Sequence, residues 1–177
     1  MKVIICGAGQ VGYNIARYLA TAGNEVTIID QSVELAQRLG DSLDIQTIVG
    51  HASLPDTLEK AGAEDADMLI AVTYTDEVNM VACHIAHTLF NVPTKIARIR
   101  HQAYLESRWQ DLFLASRMPI DVVISPEREV AHAIALRLEV PGALNVVPFA
   151  DDRVRLVAVR ANEDCPILAT PLRQLTY

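Results

Sequence analysis

The sequence predicts an α/β fold: a doubly wound parallel sheet of six strands, followed by the start of a second small domain. Two observations predict it. Short apolar runs without clean polar alternation are separated by segments of helical period, which is the pattern of βαβ units whose strands are covered on both faces. The pattern then changes at Pro141-Gly142, where the chain is broken and strand-like runs follow without helices between them.

The elements follow in order. Residues 2–6 (KVIIC) form an apolar run that stops at glycine. Residues 13–22 carry a helical face of Ile15, Ala16, Leu19 and Ala22, ended by Gly23 and Asn24. Val26 to Ile29 is the second strand and ends at Asp30. Residues 32–40 read as a helix with Ser32 as its cap and Glu34 near its positive end. Ile45–Val49 is the third strand, Leu54–Ala61 a short helix, Met68–Val72 the fourth strand and Asp76–Phe90 a long amphipathic helix. Lys95–Arg100, a helix over Tyr104–Ala115, the short strand Val122–Ile124 and a helix over Glu127–Leu138 complete the series. Beyond it, Val146-Val147 and Val154–Val159 are expected to pair around an Asp151-Asp152 turn as a half-buried hairpin. The predicted organisation is a nucleotide-binding domain over 1–125, a helix over 126–139, and the cut-short opening of a second domain over 140–177.

Composition supports a folded chain. Of 177 residues, 51% are hydrophobic and 21% charged, with a net charge of −7. Aromatics are 5%, so Val, Ile, Leu and Ala must fill the core. Residues 1–94 hold 4 basic against 12 acidic side chains, whereas residues 95–177 hold 11 against 10. No basic stripe results, so nucleic acid is not an expected partner. Cys6, Cys83 and Cys165 have no CxxC spacing, which suits a reducing compartment and gives no zinc motif. No apolar stretch is long enough to span a bilayer, and the N-terminus lacks the apolar core of a signal peptide.

Gly7-Ala8-Gly9-Gln10-Val11-Gly12 is GxGxxG, placed between a strand and a helix, with an acidic residue at the end of the next strand. In that setting the spacing points to a dinucleotide site of the Rossmann type. Gly7 permits the tight turn, Gly9 lets phosphates approach the backbone, and Gly12 lets the helix pack on the sheet. The N–H groups from Gly9 to Gly12 then face the pyrophosphate. Asp30 is expected to accept ribose hydroxyls and to repel a 2′-phosphate, which favours NAD over NADP. Thr73 and Tyr74 follow the fourth strand, where ligands sit in such sheets. Asp76 either caps its helix or meets a ligand or ion. Arg98 and Arg100 share one side of the fifth strand, and Arg98 is expected to pair with phosphate or stack on a base. His51 either packs beside the adenine or is a plain turn residue. His84 and His87 are three apart on a helix but lack a third ligand at matching spacing, and no nucleophile elbow or zinc-protease motif occurs. The expectation is therefore a cofactor site without catalysis. The alternative is the cofactor domain of an NAD-dependent oxidoreductase whose substrate domain is missing.

Four segments carry a resemblance to a known family. They are MKVIICGAGQVGYNIARYLATAGNEVTIID, TIVGHASLPDTLEKAGAEDADMLIAVTYTDEVNMVACHIA, KIARIR and DVVISPE. Together they resemble the regulator-of-potassium-conductance (RCK, or KTN) domain, and most closely its branch from bacterial potassium uptake systems. Residues 1–139 carry the likeness strongly, and residues 142–175 resemble the start of the family's C-terminal domain. The resemblance implies a regulatory subunit that binds NAD or NADH, with ATP or ADP as alternatives at the same site. It implies homo-oligomers, dimers assembled into rings, beneath an integral membrane potassium-translocating subunit on the cytoplasmic side of the inner membrane. The family's phosphate loop falls on Gly7 to Val11, its acidic residue on Asp30, its post-strand pair on Thr73 and Tyr74, and its arginine on Arg98. Residues 127–138 resemble its dimerising crossover helix.

Overall fold

The computed structural model describes residues 1–114, 116–150 and 152–162 and positions 165, 168, 171 and 174, with the backbone alone at Gln110. Ala115, Asp151 of the expected turn, Pro166 and most of the last fifteen residues lie outside the described residues. The chain divides into two compact units, Met1–Pro126 and Glu127–Tyr177.

The first unit is built on β1 (Lys2–Cys6), β2 (Glu25–Asp30), β3 (Gln46–Val49), β4 (Met68–Ala71), β5 (Thr94–Arg98) and β6 (Val122–Ile124). They form one sheet in the order β3-β2-β1-β4-β5-β6, and every neighbouring pair is parallel. The register is anchored at its centre, where Ile5 lies between Ile28 and Ile70. Alternate residues of β1 enter different cores. Val3 and Ile5 pack with Ala16, Ile28 and Leu39 on one face. Ile4 and Cys6 pack with Leu58, Leu69 and Cys83 on the other. Both faces are covered, so the strand needs no polar side and reads as a continuous apolar run.

Helices α1 (Gln10–Thr21) and α2 (Val33–Ser42) supply the first core, and α3 (Pro55–Lys60) and α4 (Asp76–Thr88) the second. Ser32 caps α2 as expected, its Oγ accepting the Leu35 N–H at 3.3 Å. α1 begins three residues before the helix expected from residue 13, because its first turn is the end of the glycine loop. The expected helix over 104–115 is absent. Gln102–Leu105 and Ser107–Phe113 are 3₁₀ segments instead, separated by an extended Glu106. Helix nucleation is costly and is offset in proteins by burying an amphipathic face. No residue of Gln102–Leu105 is buried, so a continuous α-helix lacks that compensation here.

Helix α5 (Pro126–Glu139), all but its first residue in the second unit, precedes a hairpin of β7 (Ala143–Phe149) and β8 (Val154–Val159). Val146 pairs with Val157 and Phe149 with Val154, in antiparallel register. The hairpin forms as expected, but the half-burial does not. Val146 is 8% exposed, while Leu156 and Val159 on β8 lie open. Two strands alone cannot cover their own apolar faces. Arg155 ties the hairpin internally, pairing with Asp152 at its turn and with Glu139 at the end of α5. Among the described residues, no helix is long and apolar enough to cross a membrane.

Candidate functional site

The chain moves outward from β1 to β3, then returns past β1 to lay down β4 to β6. This reversal opens a crevice at the C-terminal ends of β1 and β4, the position where sheets of this class hold ligands. A cavity of about 480 Å³ occupies it.

The glycine loop enters the cavity directly from β1. Gly7 has φ +110°, and a Cβ there would lie 3.0 Å from the Thr73 nitrogen, so a left-handed backbone and a close pass of the chain after β4 both require glycine. A Cβ on Gly12 would lie 1.8 Å from the Gly7 carbonyl oxygen, so the first turn of α1 packs on the loop only without a side chain. Gly9 differs: a Cβ there would meet no protein atom within 4 Å, because it would project into open space. The first helical bond of α1 runs from Tyr13 N–H to Gly9 O at 2.9 Å. The N–H groups before it have no helical acceptor and stand at the positive end of the helix.

Asp30 ends β2 on the cavity wall. Its Oδ2 accepts the Ala8 N–H at 2.6 Å and its Oδ1 the Ser32 N–H at 2.8 Å. The carboxylate thus fixes the glycine loop to the start of α2. A carboxylate offers about four lone-pair sites, which leaves capacity for hydroxyl donors.

Thr73 and Arg98 meet through Asn79, a residue that sequence reasoning missed. Asn79 is 0% exposed. Its Oδ1 accepts the Thr73 N–H at 2.9 Å and the Thr73 hydroxyl at 2.7 Å. Its Nδ2 donates to the Arg98 carbonyl at 2.9 Å and to the Thr73 carbonyl at 3.3 Å. The available signal was a polar residue on the core side of α4, one turn before Cys83. Asp76, at the start of the same helix, is not its cap: Thr75 takes that position and the Asp76 carboxylate is engaged elsewhere. It is buried, and its carboxylate accepts the Arg100 N–H at 2.9 Å and the His101 N–H at 2.8 Å, fastening the chain that leaves β5.

Gly7, Gly9, Gln10, Val11, Asp30, His51, Thr73, Tyr74 and Arg98 line the one cavity. Ala8 and Gly12 do not line it. Ala8 is buried beneath the loop and gives its N–H to Asp30, and Gly12 lies against Gly7. His51 lies in the turn after β3, is held by Ser53, with Nδ1 2.8 Å from the hydroxyl oxygen, and lines the cavity. Tyr74 is 82% exposed at the rim, where the Arg100 guanidinium lies 4.8 Å from its ring centre. Arg98 carries a buried Nε with no hydrogen-bond partner among the described residues. A buried donor without an acceptor costs about 1–3 kcal/mol, a cost that any hydrogen-bond acceptor able to reach it would relieve. Ile29, Leu35, Ala52, Val72 and Val78 complete the wall with apolar surface. They were not singled out in the sequence because each also reads as an ordinary core position.

Among the described residues, no group of three or more His, Cys, Asp or Glu is placed to hold a metal, and His84 is exposed. Burial pushes the thiols of Cys6 and Cys83 up, that of Cys83 to about 12, so both are packing groups rather than thiolates.

The model of the TrkA-N domain family matches residues 3–126, most of the chain and nearly all of its first unit. The chain belongs to the TrkA-N family. The Trk system potassium uptake protein TrkA of Azorhizobium caulinodans is 55% identical over 99% of this TrkA-N chain, and that of Halomonas elongata 51% identical over 97%. The chain spans 38% and 37% of the length of these two relatives. Among solved structures, the GsuK channel bound to NAD is similar at a TM-score of 0.66 with 15% identity, over 85% of this chain and 25% of that one. The Shewanella denitrificans Kef CTD in its AMP-bound form is similar at 0.61 with 24% identity, over 79% of this chain and 82% of that one. At these identities the two structures speak for the fold, and the sequence relatives for the family expected from the motifs.

Proposed function

We propose that this TrkA-N domain senses an adenine nucleotide, NAD(H) or alternatively ATP or ADP, and regulates potassium uptake without chemistry of its own. The observation that carries the reading is a dinucleotide-type crevice lined by the glycine loop, Asp30 and Arg98, the last with a buried Nε that has no partner among the described residues. The N–H groups at the start of α1 and the Arg98 guanidinium would receive the phosphates. Asp30 would take the ribose hydroxyls and disfavour a 2′-phosphate. Leu35, Ala52 and His51 line the same cavity and would offer the base a mostly apolar wall. Support for adenine ligands comes from proteins of the same fold, the GsuK channel with NAD and the Kef CTD with AMP.

The full-length relatives are potassium uptake proteins. The chain would act as they are named, as part of a peripheral subunit at the cytoplasmic face of the membrane, with α5 pairing copies into dimers and rings. Ligand binding would bias the angle between packed domains, and the change would reach a membrane-embedded potassium-translocating subunit. The test is potassium uptake by the subunit reconstituted with its membrane partner, with and without D30A. Loss of nucleotide binding together with loss of nucleotide control supports the reading. Loss of binding with control intact contradicts it.

A further inference from the structure

We propose that Asn79 is a positioning residue of the nucleotide crevice, setting Arg98 for phosphate from beneath without touching the ligand. The proposal rests on the nucleotide reading above and assigns a residue that the motifs do not contain. An asparagine side chain offers two donor hydrogens and two acceptor lone pairs. All four are used here, on Thr73 N–H, Thr73 hydroxyl, Thr73 carbonyl and Arg98 carbonyl. No capacity remains for a ligand, and the side chain does not line the cavity.

The residues it joins lie on different strands' ends, and each faces the cavity. Thr73 packs against Gly7, so its place also sets the width of the glycine turn. Arg98 presents the unpartnered Nε. The Asn79 amide therefore locks the spacing between the glycine loop, the exit of β4 and the arginine of β5. Asp76, three residues earlier on α4, holds Arg100 and His101 from the same helical turn. That leaves Asn79 to act at two residues of the wall, Thr73 and Arg98.

The test is a double-mutant cycle with N79A, R98A and N79A/R98A, read by calorimetric titration with ADP and with adenosine. Acting through Arg98, N79A should weaken ADP about tenfold and adenosine far less. Placed on R98A, it should cost little more, because coupled sites do not add. An equal loss for both ligands, or a loss that adds in full to that of R98A, would overturn the positioning role. If N79A does not fold, N79D replaces it, keeping an acceptor for Thr73 while losing the donor to the Arg98 carbonyl, with the same non-additivity expected. Wild-type chain that binds neither ligand would overturn the nucleotide reading itself, and additive losses with wild-type binding intact would overturn only the role of Asn79.

Discussion

Asp30 Oδ2 accepts the Ala8 N–H at 2.6 Å, so the acidic residue that ends β2 also fastens the loop that follows β1. Its other oxygen holds Ser32 N–H at the start of α2. One carboxylate thereby shapes the site it is expected to serve, and its replacement has two separable consequences.

Substituting Asp30→Ala strips acceptors from two backbone N–H groups in half-buried surroundings. A stability loss of about 1–3 kcal/mol is expected, along with nucleotide affinity falling tenfold or more. Asp30→Asn retains one acceptor oxygen and should recover part of the stability while binding stays weak. Denaturant unfolding and calorimetry on the same samples separate the two effects.

The glycines of the loop should respond differently. Gly12→Ala drives a methyl group onto the Gly7 carbonyl, and overpacking of this kind costs about 1–3 kcal/mol or more. Gly9→Ala meets no protein atom, so its melting temperature should stay close to wild type, while on the proposed nucleotide reading binding should weaken, because phosphates would approach this backbone. A thermal melt of each variant, followed by titration with ADP, checks both halves.

Arg98→Met keeps the apolar stem and deletes the unpartnered Nε. Removing a buried donor that has no acceptor relieves its desolvation cost. This variant should melt no lower than wild type, yet bind phosphate-bearing ligands at least tenfold more weakly. A clear drop in melting temperature would show that the guanidinium stabilises the empty site.

Acid sensitivity should trace to Asp121. Lys95 is 4% exposed, and its Nζ lies 2.8 Å from Asp121 Oδ2. Burial would raise the Asp121 carboxyl, but the hydrogen bonds and charge of Lys95 outweigh burial and hold it below the usual carboxylate range, with His87 adding to the effect. A carboxyl lowered on folding contributes stability that is full above the unfolded value, about 3.9, and is lost as pH falls through the folded one. Unfolding midpoints should therefore drop as the medium is acidified below that value, and Asp121→Asn should flatten the drop. Midpoints in urea at several acidic pH values measure it.

The sheet and the loop were legible in the sequence because each rests on a local constraint. The strands announce themselves by apolar runs, and the loop by the spacing of Gly7, Gly9 and Gly12 between a strand and a helix. Asn79 and Asp76 were not legible as they act. Apart from the Thr73 hydroxyl, their partners are backbone groups of Thr73, Arg98, Arg100 and His101, and backbone leaves no mark on residue type. The 3₁₀ segments over 102–113 escaped for a related reason: helical spacing was present, but burial, which decides between helix types, is a tertiary property. The exposed β8 face shows the same limit, since alternation records which side could be buried and not whether anything covers it.

The central claim is that the crevice binds an adenine nucleotide through Asp30 and Arg98. Calorimetric titration of the chain with NADH, NAD, ATP and ADP, beside D30A and R98A, tests it most directly. Saturable one-site binding of at least one of the four by wild type, weakened in both variants, is the result expected. Absence of binding by all four, or binding that neither variant changes, would contradict it.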